Sequence, residues 1–187
     1  METLLVTGGA GFIGSTFAKI AQDVGFQIRV LDNLSTGISE VASELRNMGI
    51  DVFIGDVRDS DLLETVMKDV DVVVHLAAQV SVPISVENPD ETASINIEGT
   101  NALLSKCSKF GIKRFILASS AAVYGDNENL PLTEKDSGTL LSPYAESKWE
   151  NEHQISKARD GGLEAVALRF FNVYGIGQRP DSAYAAV

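Results

Sequence analysis

The segment Thr7–Gly14 reads Thr-Gly-Gly-Ala-Gly-Phe-Ile-Gly and directly follows the short apolar run Leu4–Val6. Its glycines satisfy G-x-G-x-x-G when counted from Gly9, and G-x-x-G-x-x-G when counted from Gly8. Between a strand and a helix, such glycines allow a tight turn, close approach of the backbone to a pyrophosphate, and close packing of the helix on the strand. The amide groups at the helix start can then bind an anion. An ordinary tight turn also uses glycine, so the loop alone leaves both interpretations open.

The rest of the chain alternates β-branched runs with longer stretches of helical spacing, which is typical of a parallel sheet covered by helices on both faces. The predicted strands are Leu4–Thr7, Gln27–Leu31, Asp51–Ile54, Asp71–Leu76, Arg114–Ala118 and Leu163–Arg169. The predicted helices are Phe12–Val24, Ile38–Asn47, Ser60–Lys68, Thr92–Lys109 and Pro143–Ala158. The apolar face predicted for the first helix consists of Phe12, Ile13, Phe17, Ile20, Ala21 and Val24. We therefore expect an α/β fold, a Rossmann doubly wound parallel sheet in three layers, with its ligand crevice at the carboxyl ends of the strands.

Two segments lie outside these elements. The polar stretch Asp126–Thr139 predicts one long surface loop, and loops of that length in compact domains are often functional. Asp181–Val187 predicts the start of another helix.

Length and charge exclude several classes of protein. At 187 residues the chain corresponds to about one domain. Its 15 Lys and Arg against 26 Asp and Glu give a net charge of −11, which is unsuited to a general nucleic-acid surface. The N-terminus lacks a basic leader, and the longest apolar stretch, 72–78, is shorter than the roughly 20 residues that span a bilayer. We expect a cytoplasmic protein that binds neither nucleic acid nor membrane.

The cysteine and histidines predict little chemistry. Cys107, the single cysteine, is expected to be a buried, inert thiol. His75 and His153 do not fall with a carboxylate at metal-ligand spacing, so no metal site is expected. Neither histidine is placed to activate a serine, and the sequence has no G-x-S-x-G segment.

Two aspartates follow predicted strands. Asp32 comes about 20 residues after the glycine loop, where a carboxylate binds both ribose hydroxyls of an adenosine. Because it would repel a 2′-phosphate, Asp32 favours NAD over NADP. Asp56 can reach the adenine amino group. On spacing alone, Asp32 can instead open a polar turn, and Asp56 can be an ordinary loop aspartate.

Tyr144 and Lys148 lie four residues apart, so on a helix their side chains share one face. A phenol ordinarily ionises near pH ~10 and is a poor base at neutral pH. A neighbouring ammonium and a charged nicotinamide both favour the phenolate, which brings it towards the range useful for proton transfer. Ser119 and Ser120 follow the fifth predicted strand, where a hydroxyl can bond the oxygen that gains or loses a proton. Taken alone, this tyrosine–lysine spacing is common on solvated helices, and serine is an ordinary turn residue.

Together these residues resemble the extended short-chain dehydrogenase/reductase superfamily, in particular its NAD-dependent epimerase/dehydratase family. The segments that carry the resemblance are Thr7–Gly14, Asp32–Gly37, Gly55–Val57, His75–Gln79, Asn96–Thr100, Ala118–Gly125, Tyr144 with Lys148, and Arg169–Gly175. The resemblance implies NAD as cofactor, bound by Gly8, Gly11, Phe12, Ile13, Gly14, Asp32, Asn33, Ser35, Thr36, Gly37, Asp56, Val57, Leu76, Ala77, Ala78, Gln79, Asn96, Tyr144, Lys148 and Phe171. It implies catalytic roles for Ser120, Tyr144 and Lys148, and substrate contacts for Ser81, Ser120, Tyr144 and Asn172.

The residues after Ser120 narrow the implied reaction. Dehydratases of this family typically place an Asp-Glu pair there, and sugar-acid decarboxylases a Glu, whereas this chain has Ala121 and Ala122. The resemblance therefore implies a sugar-nucleotide 4-epimerase of the UDP-glucose/UDP-galactose type that acts through a 4-keto intermediate. Ser81-Val82-Pro83 resembles epimerases of UDP-sugars, including N-acetylated ones.

Family members continue into a C-terminal lobe that covers the substrate, so we expect residues 1–187 to form a single NAD-binding domain that ends where that lobe begins. A non-catalytic NAD-binding module or regulatory partner is the alternative to an enzyme. The resemblance also implies a homodimer built on the helices Thr92–Lys109 and Pro143–Ala158. Its candidate face is Ala102, Leu103, Cys107, Trp149 and Ile155, although these residues can equally face the sheet.

Overall fold

Six short apolar runs form the strands of one sheet in the computed structural model, which describes residues 1–178. The strands are β1 (Thr3–Thr7), β2 (Gln27–Asp32), β3 (Asp51–Ile54), β4 (Val72–His75), β5 (Arg114–Ser120) and β6 (Glu164–Phe170). Their order is β3-β2-β1-β4-β5-β6, and all neighbours pair in parallel. This is the strand order of a Rossmann sheet, so the predicted fold class is confirmed. The helix start predicted at Asp181–Val187 lies outside the described residues.

Helical segments connect the strands. The α-helices are α1 (Phe12–Asp23), α2 (Ser39–Asn47), α3 (Ser60–Val66), α4 (Val82–Glu87), α5 (Pro89–Ala93), α6 (Gly99–Phe110) and α7 (Pro143–Asp160). A π-helical turn, Ser94–Glu98, joins α5 to α6, and a 3₁₀ turn, Ala121–Tyr124, follows β5. The helix predicted over Thr92–Lys109 is thus part of a longer, interrupted helical segment. The six-residue α4 was not predicted because so short a helix shows little periodicity.

Apolar side chains cover both faces of the sheet. On one face Leu5, Val73 and Phe115 are buried with side chains of α3, α6 and α7. On the other face Leu4 and Val6 are buried with side chains of α1 and α2. This alternation along β1 is what a strand buried on both faces requires.

The apolar face predicted for α1 is wrong in part. Ile20 and Val24 are 59% and 69% exposed, while the helix turns Gly14, Ala18 and Ala21 towards the sheet. The glycine loop brings α1 close to β1, so its small residues are the fully buried ones, while the predicted Phe17 packs against the same core only partly buried.

For three residues of the candidate dimer face, the structure selects the alternative that they face the sheet. Leu103, Cys107 and Ile155 are all buried in the core against the sheet, so they are unavailable to a second chain. Burial raises the pKa of the Cys107 thiol to about 12, which agrees with the inert thiol expected from the sequence.

Candidate active site

The glycine loop between β1 and α1 is a tight turn that tolerates little added volume. Gly8 has a φ of +69°, in the region that favours glycine, and a Cβ there would stand 2.8 Å from the amide nitrogen of Ala77. A Cβ on Gly14 would stand 2.2 Å from the carbonyl oxygen of Gly8. A Cβ on Gly11 would meet only that oxygen, at 3.2 Å. Gly14 is therefore needed by the turn itself, whereas Gly11 leaves space above the loop.

Asp32 ends β2 with a buried carboxylate beside this loop. Oδ2 accepts a hydrogen bond from the amide of Ala10 at 2.9 Å, and Oδ1 accepts one from the amide of Leu34 at 2.8 Å. A Cβ on Gly37 would stand 2.5 Å from Oδ1, so the Asp32–Gly37 loop folds tightly around the carboxylate. Each oxygen keeps a further lone pair, and a pair of ribose hydroxyls can donate to both.

The other predicted cofactor residues of this loop surround Asp32. Leu34 has a φ of +58°, a strained conformation for a leucine, and this conformation lets its amide reach Asp32. Asn33 donates through Nδ2 to Oδ2 of Asp56 at 3.2 Å, so the second predicted aspartate lies next to the first loop. Ser35 and Thr36 are exposed. The carboxylates of Asp32 and Asp56 thus lie at the carboxyl ends of the neighbouring strands β2 and β3.

The Asp56 carboxylate already has a partner. Arg58 donates to both of its oxygens at 2.9 Å, and this bond lowers the pKa of Asp56 to about 2. Arg58 also donates to Glu91 at 3.0 Å, which ties the turn to α5. Val57, predicted as a cofactor contact, is buried with its side chain in the core, so only its backbone is available to a ligand.

The segment after β4 is fixed by hydrogen bonds between its backbone and the buried side chain of Asn96. The side-chain amide of Asn96 accepts from the backbone N–H of Gln79 at 2.8 Å and donates to the Gln79 carbonyl oxygen at 3.0 Å. Asn96 also donates to Ser147 at 2.9 Å and is only 1% exposed. It therefore shapes the Leu76–Gln79 segment from within the core, although the sequence predicted a direct cofactor contact.

One atom of this segment lacks a partner in the structure. Oε1 of Gln79 is buried and accepts no hydrogen bond, while its Nε2 donates to the carbonyl oxygen of Ser81 at 3.0 Å. A buried acceptor without a donor is costly, and a ligand hydroxyl can satisfy it. Together with the glycine cradle and the Asp32 carboxylate, this orphan oxygen fits a dinucleotide along the carboxyl ends of β1, β2 and β4.

His75 anchors the same segment to the sheet. Oγ1 of Thr100 donates to the carbonyl oxygen of Asn96 at 2.6 Å and therefore accepts from Nε2 of His75 at 3.0 Å. The other ring nitrogen, Nδ1, then accepts from the hydroxyl of Thr7 at 2.7 Å. Burial and the nearby charge of Lys148 lower the pKa of His75 to about 3, so the ring is neutral at physiological pH.

Ser119 and Ser120 were expected just beyond the fifth strand, and they are in fact its last two residues. In the sheet register they pair with Arg169 and Phe170 of β6. Oγ of Ser120 accepts from the amide of Ala122 at 3.1 Å. Because one lone pair is used in this way, the Ser120 hydroxyl hydrogen is left to point elsewhere and can be donated to a ligand.

Tyr144 and Lys148 occupy the first turns of α7, which begins at the Ser142 N-cap and Pro143. Lys148 is 4% exposed, and its Nζ donates to the carbonyl oxygen of Ala118 at 2.9 Å. The ammonium lies over the Tyr144 ring, 5.9 Å from its centre. Burial lowers the pKa of Lys148 to about 8. The pair can place a cation beside a phenol at the end of β5.

The predicted substrate residues lie at the outer rim. Ser81 caps α4, accepting from the amide of Ile84 at 3.4 Å. Phe171 is 68% exposed, and Asn172 beside it is also exposed. The ring of Phe171 lies 6.1 Å from that of Tyr124, so β6 delivers this rim next to the 3₁₀ turn after Ser120.

Sequence reasoning missed the ion pair between Arg169 and Glu152. Nε and Nη2 of Arg169 donate to the two carboxylate oxygens of Glu152, each at 2.9 Å. Glu152 follows Lys148 by one helical turn, so the i, i+4 spacing on α7 was the available signal. This spacing did not identify Arg169 as the partner of Glu152, because the position of Arg169 depends on how β6 pairs in the sheet.

Residues 1–178 contain neither a cluster of metal ligands nor a membrane-spanning helix. No three His, Cys, Asp or Glu side chains in that range come together as a metal site would require. Within the same range, no helix combines the length and the apolar character needed to cross a bilayer.

Comparison with known proteins agrees with this geometry. Residues 4–187 match the model of the family described as "NAD dependent epimerase/dehydratase family". The chain is 42% identical over 180 residues to a putative UDP-glucose 4-epimerase of Methanocaldococcus jannaschii, covering 95% of this chain and 58% of that protein. It is 37% identical over 175 residues to a UDP-glucose 4-epimerase of Halalkalibacterium halodurans, covering 92% and 51% respectively. The chain thus spans only part of the length of these relatives.

Two solved structures are similar over nearly the whole chain. A UDP-N-acetylglucosamine 4-epimerase from Methanobrevibacter ruminantium, in complex with UDP-N-acetylmuramic acid, has a TM-score of 0.92 at 40% identity, covering 100% of this chain and 60% of that one. A UDP-glucose 4-epimerase from Thermus thermophilus, in complex with NAD, has a TM-score of 0.88 at 36% identity, covering 97% and 59%.

Proposed function

Because this chain belongs to the NAD-dependent epimerase/dehydratase family, we propose that it is an NAD-dependent sugar-nucleotide 4-epimerase of the UDP-glucose/UDP-galactose type. The observation that carries the proposal is the buried Lys148 ammonium, which lies over the Tyr144 ring at the carboxyl end of β5. The curated relatives and solved structures described above support the same reaction class.

The cofactor is held by backbone and by few side chains. The amides of the glycine loop would hold the pyrophosphate, because α1 begins there and its dipole favours an anion. The Asp32 carboxylate accepts from the adenosine ribose hydroxyls and repels a 2′-phosphate, which selects NAD over NADP. Binding through backbone amides explains how a chain of net charge −11 holds two phosphates.

The catalytic side chains then have separate tasks. When bound, NAD would supply reversible hydride acceptance for oxidation and reduction at sugar C4. Tyr144, as the phenolate, takes the proton of the sugar 4-hydroxyl. Ser120 donates its free hydroxyl hydrogen to the same oxygen. Lys148 stabilises the phenolate electrostatically and bonds the nicotinamide ribose.

The residues around Ser120 exclude competing proton transfers. Ala121 and Ala122 carry no group that moves a proton, so elimination of water lacks its acid and base. Asn172, Phe171 and Ser81 at the rim contact the sugar nucleotide in this proposal. We further propose that the described residues, 1–178, belong to a single NAD-binding domain, and that the protein acts in the cytoplasm as a homodimer whose contact excludes the buried Leu103, Cys107 and Ile155.

The test is turnover by the chain itself. We expect the chain with NAD to interconvert UDP-glucose and UDP-galactose, detected by chromatographic separation of the two isomers. UDP-N-acetylglucosamine in a parallel reaction tests N-acetylated substrates. Tyr144→Phe is expected to abolish interconversion while NAD still binds, as isothermal titration calorimetry measures. If NAD binds and no UDP-sugar is turned over, the epimerase proposal fails for this chain, and a non-catalytic NAD-binding module replaces it.

A further inference from the structure

Arg169 and Glu152 form a two-pronged ion pair that joins the last strand to α7. Both prongs measure 2.9 Å, and the side chains are only 12% and 17% exposed. A planar guanidinium on a carboxylate fixes distance and orientation together, which a lysine does not do. At this low exposure the pair is poorly screened by solvent, so the two elements are firmly held together.

The same two side chains contact three other parts of the proposed site. Oγ of Ser119 donates to Oε1 of Glu152 at 2.5 Å, so the carboxylate holds the end of β5 as well as β6. Nη1 of Arg169 donates to the carbonyl oxygen of Asp136 at 3.1 Å, within the long loop 126–139. The Arg169 guanidinium also lies over the ring of Tyr124, 4.6 Å from its centre.

The residues in these contacts lie next to proposed catalytic residues. Ser119 immediately precedes Ser120, and Glu152 lies one turn beyond Lys148 on α7. Tyr124 ends the 3₁₀ turn whose Ala122 amide orients the Ser120 hydroxyl. A shift of α7 relative to β5 would separate Tyr144 from Ser120. The ion pair opposes such a shift, because Glu152 of α7 is bonded to both β5 and β6.

We propose that the Arg169–Glu152 pair is a positioning element of the catalytic site, which holds Ser120 in register with Tyr144 and Lys148 by clamping the ends of β5 and β6 and the loop 126–139 to α7. The inference rests on the proposed function. Neither side chain touches the reacting atoms in it.

The chain contains a matched control on the same two strands. Arg114 of β5 donates to Glu164 of β6 at 2.7 Å, at the amino ends of the strands. These side chains are 50% and 66% exposed, so the pair is a solvated surface pair. Glu164→Gln removes a cross-strand Arg–Glu pair without touching the catalytic end of the sheet.

The test compares Glu152→Gln, Ser119→Ala and Glu164→Gln with the wild-type chain in the presence of NAD. We expect Glu152→Gln to lower kcat by about 10- to 100-fold, because small misplacement of catalytic groups has costs of that size. The NAD dissociation constant is expected to change much less than kcat, because the glycine loop and Asp32 lie on other strands. Ser119→Ala keeps the ion pair, removes only the link to β5, and gives a smaller fall in kcat. It serves as the second variant if Glu152→Gln does not fold.

Hydrogen exchange supplies a readout that does not depend on turnover. In Glu152→Gln, amides of the Ser119–Tyr124 segment and of the loop 126–139 are expected to exchange faster, while those of β1 and β2 are unchanged and Glu164→Gln behaves as the wild type. A uniform acceleration over the whole chain, or no local change, overturns the positioning role. If Glu152→Gln shows the expected local exchange changes but the wild-type chain turns over no UDP-sugar, the proposed function fails and the positioning role of the ion pair stands.

Discussion

The ammonium group of Lys148 lies over the aromatic ring of Tyr144, 5.9 Å from its centre, while it donates a hydrogen bond to the carbonyl oxygen of Ala118. The carbonyl fixes the lysine at the end of β5, and the helix fixes the tyrosine on the same face. Burial of Lys148 is the cost of this arrangement, because a desolvated ammonium releases its proton more readily.

Affinity for NAD is expected to weaken as the pH rises from 7 to 9. The pKa of Lys148 is lowered to about 8, so in this range the ammonium that bonds the nicotinamide ribose in our proposal loses its charge. Isothermal titration calorimetry with NAD at each pH measures the dissociation constant. Lys148→Met should bind more weakly and show little pH dependence. Lys157→Met, on an exposed part of the same helix, should behave as the wild type.

Substitution of two loop glycines should separate folding from cofactor binding. Gly14→Ala puts a Cβ 2.2 Å from the Gly8 carbonyl oxygen, so we expect the free energy of unfolding to fall by about 1–3 kcal/mol or more. Gly11→Ala meets that oxygen at 3.2 Å and should cost less than about 1 kcal/mol, yet its methyl group stands where the pyrophosphate approaches in our proposal.

The measurements are urea unfolding and NAD titration of both variants. We expect Gly11→Ala to fold normally and to lose NAD affinity by about tenfold or more, since backbone approach to the pyrophosphate needs glycine there. Full NAD affinity in Gly11→Ala would contradict the proposed position of the pyrophosphate.

Replacement of Asp32 should change cofactor choice. In the wild-type chain the amides of Ala10 and Leu34 each donate to one oxygen of the Asp32 carboxylate. In Asp32→Asn one of these oxygens is replaced by an NH₂ group, so one of the two amides loses its acceptor. We expect weaker binding of NAD and a smaller preference for NAD over NADP, because the repulsion of the 2′-phosphate is removed. Dissociation constants for both cofactors provide the measurement. Asp51→Asn, at the amino end of β3, is the control and should leave both unchanged.

Much of this fold was predictable because parallel strands are short β-branched runs. β3 was predicted with its observed bounds, and the glycine loop correctly placed the turn between β1 and α1. The face of α1 was predicted wrongly in part, because the pattern counts large apolar residues while the fully buried residues of the helix are small ones such as Ala18.

The candidate site was predictable where chemistry follows local spacing, as for Tyr144 and Lys148 on one helical face. It was not predictable where it depends on register between distant strands. Ser119 lies opposite Arg169 only because β5 pairs with β6 in that alignment, and Glu152 joins them from α7. The burial of Asn96 behind Gln79 likewise follows from the π-helical turn, which sequence patterns do not reveal.

The buried ring of His75 should make the fold lose stability in mild acid. The pKa of His75 is lowered from 6.5 to about 3 in the folded chain, so between these values the unfolded chain binds a proton that the folded chain does not. Stability therefore falls as the pH drops through 6.5, by about 1 kcal/mol per pH unit from this group averaged between pH 7 and 5. His75→Gln can keep an acceptor for Thr7 and a donor for Thr100 without titrating. Urea unfolding between pH 7 and 5 should show a slope reduced by that amount in His75→Gln, and the wild-type slope in the exposed control His153→Gln. Equal slopes in all three proteins would mean that His75 takes up a proton in the folded chain. That result would contradict the neutral ring, with Nδ1 as acceptor, that we infer from the Thr7 contact.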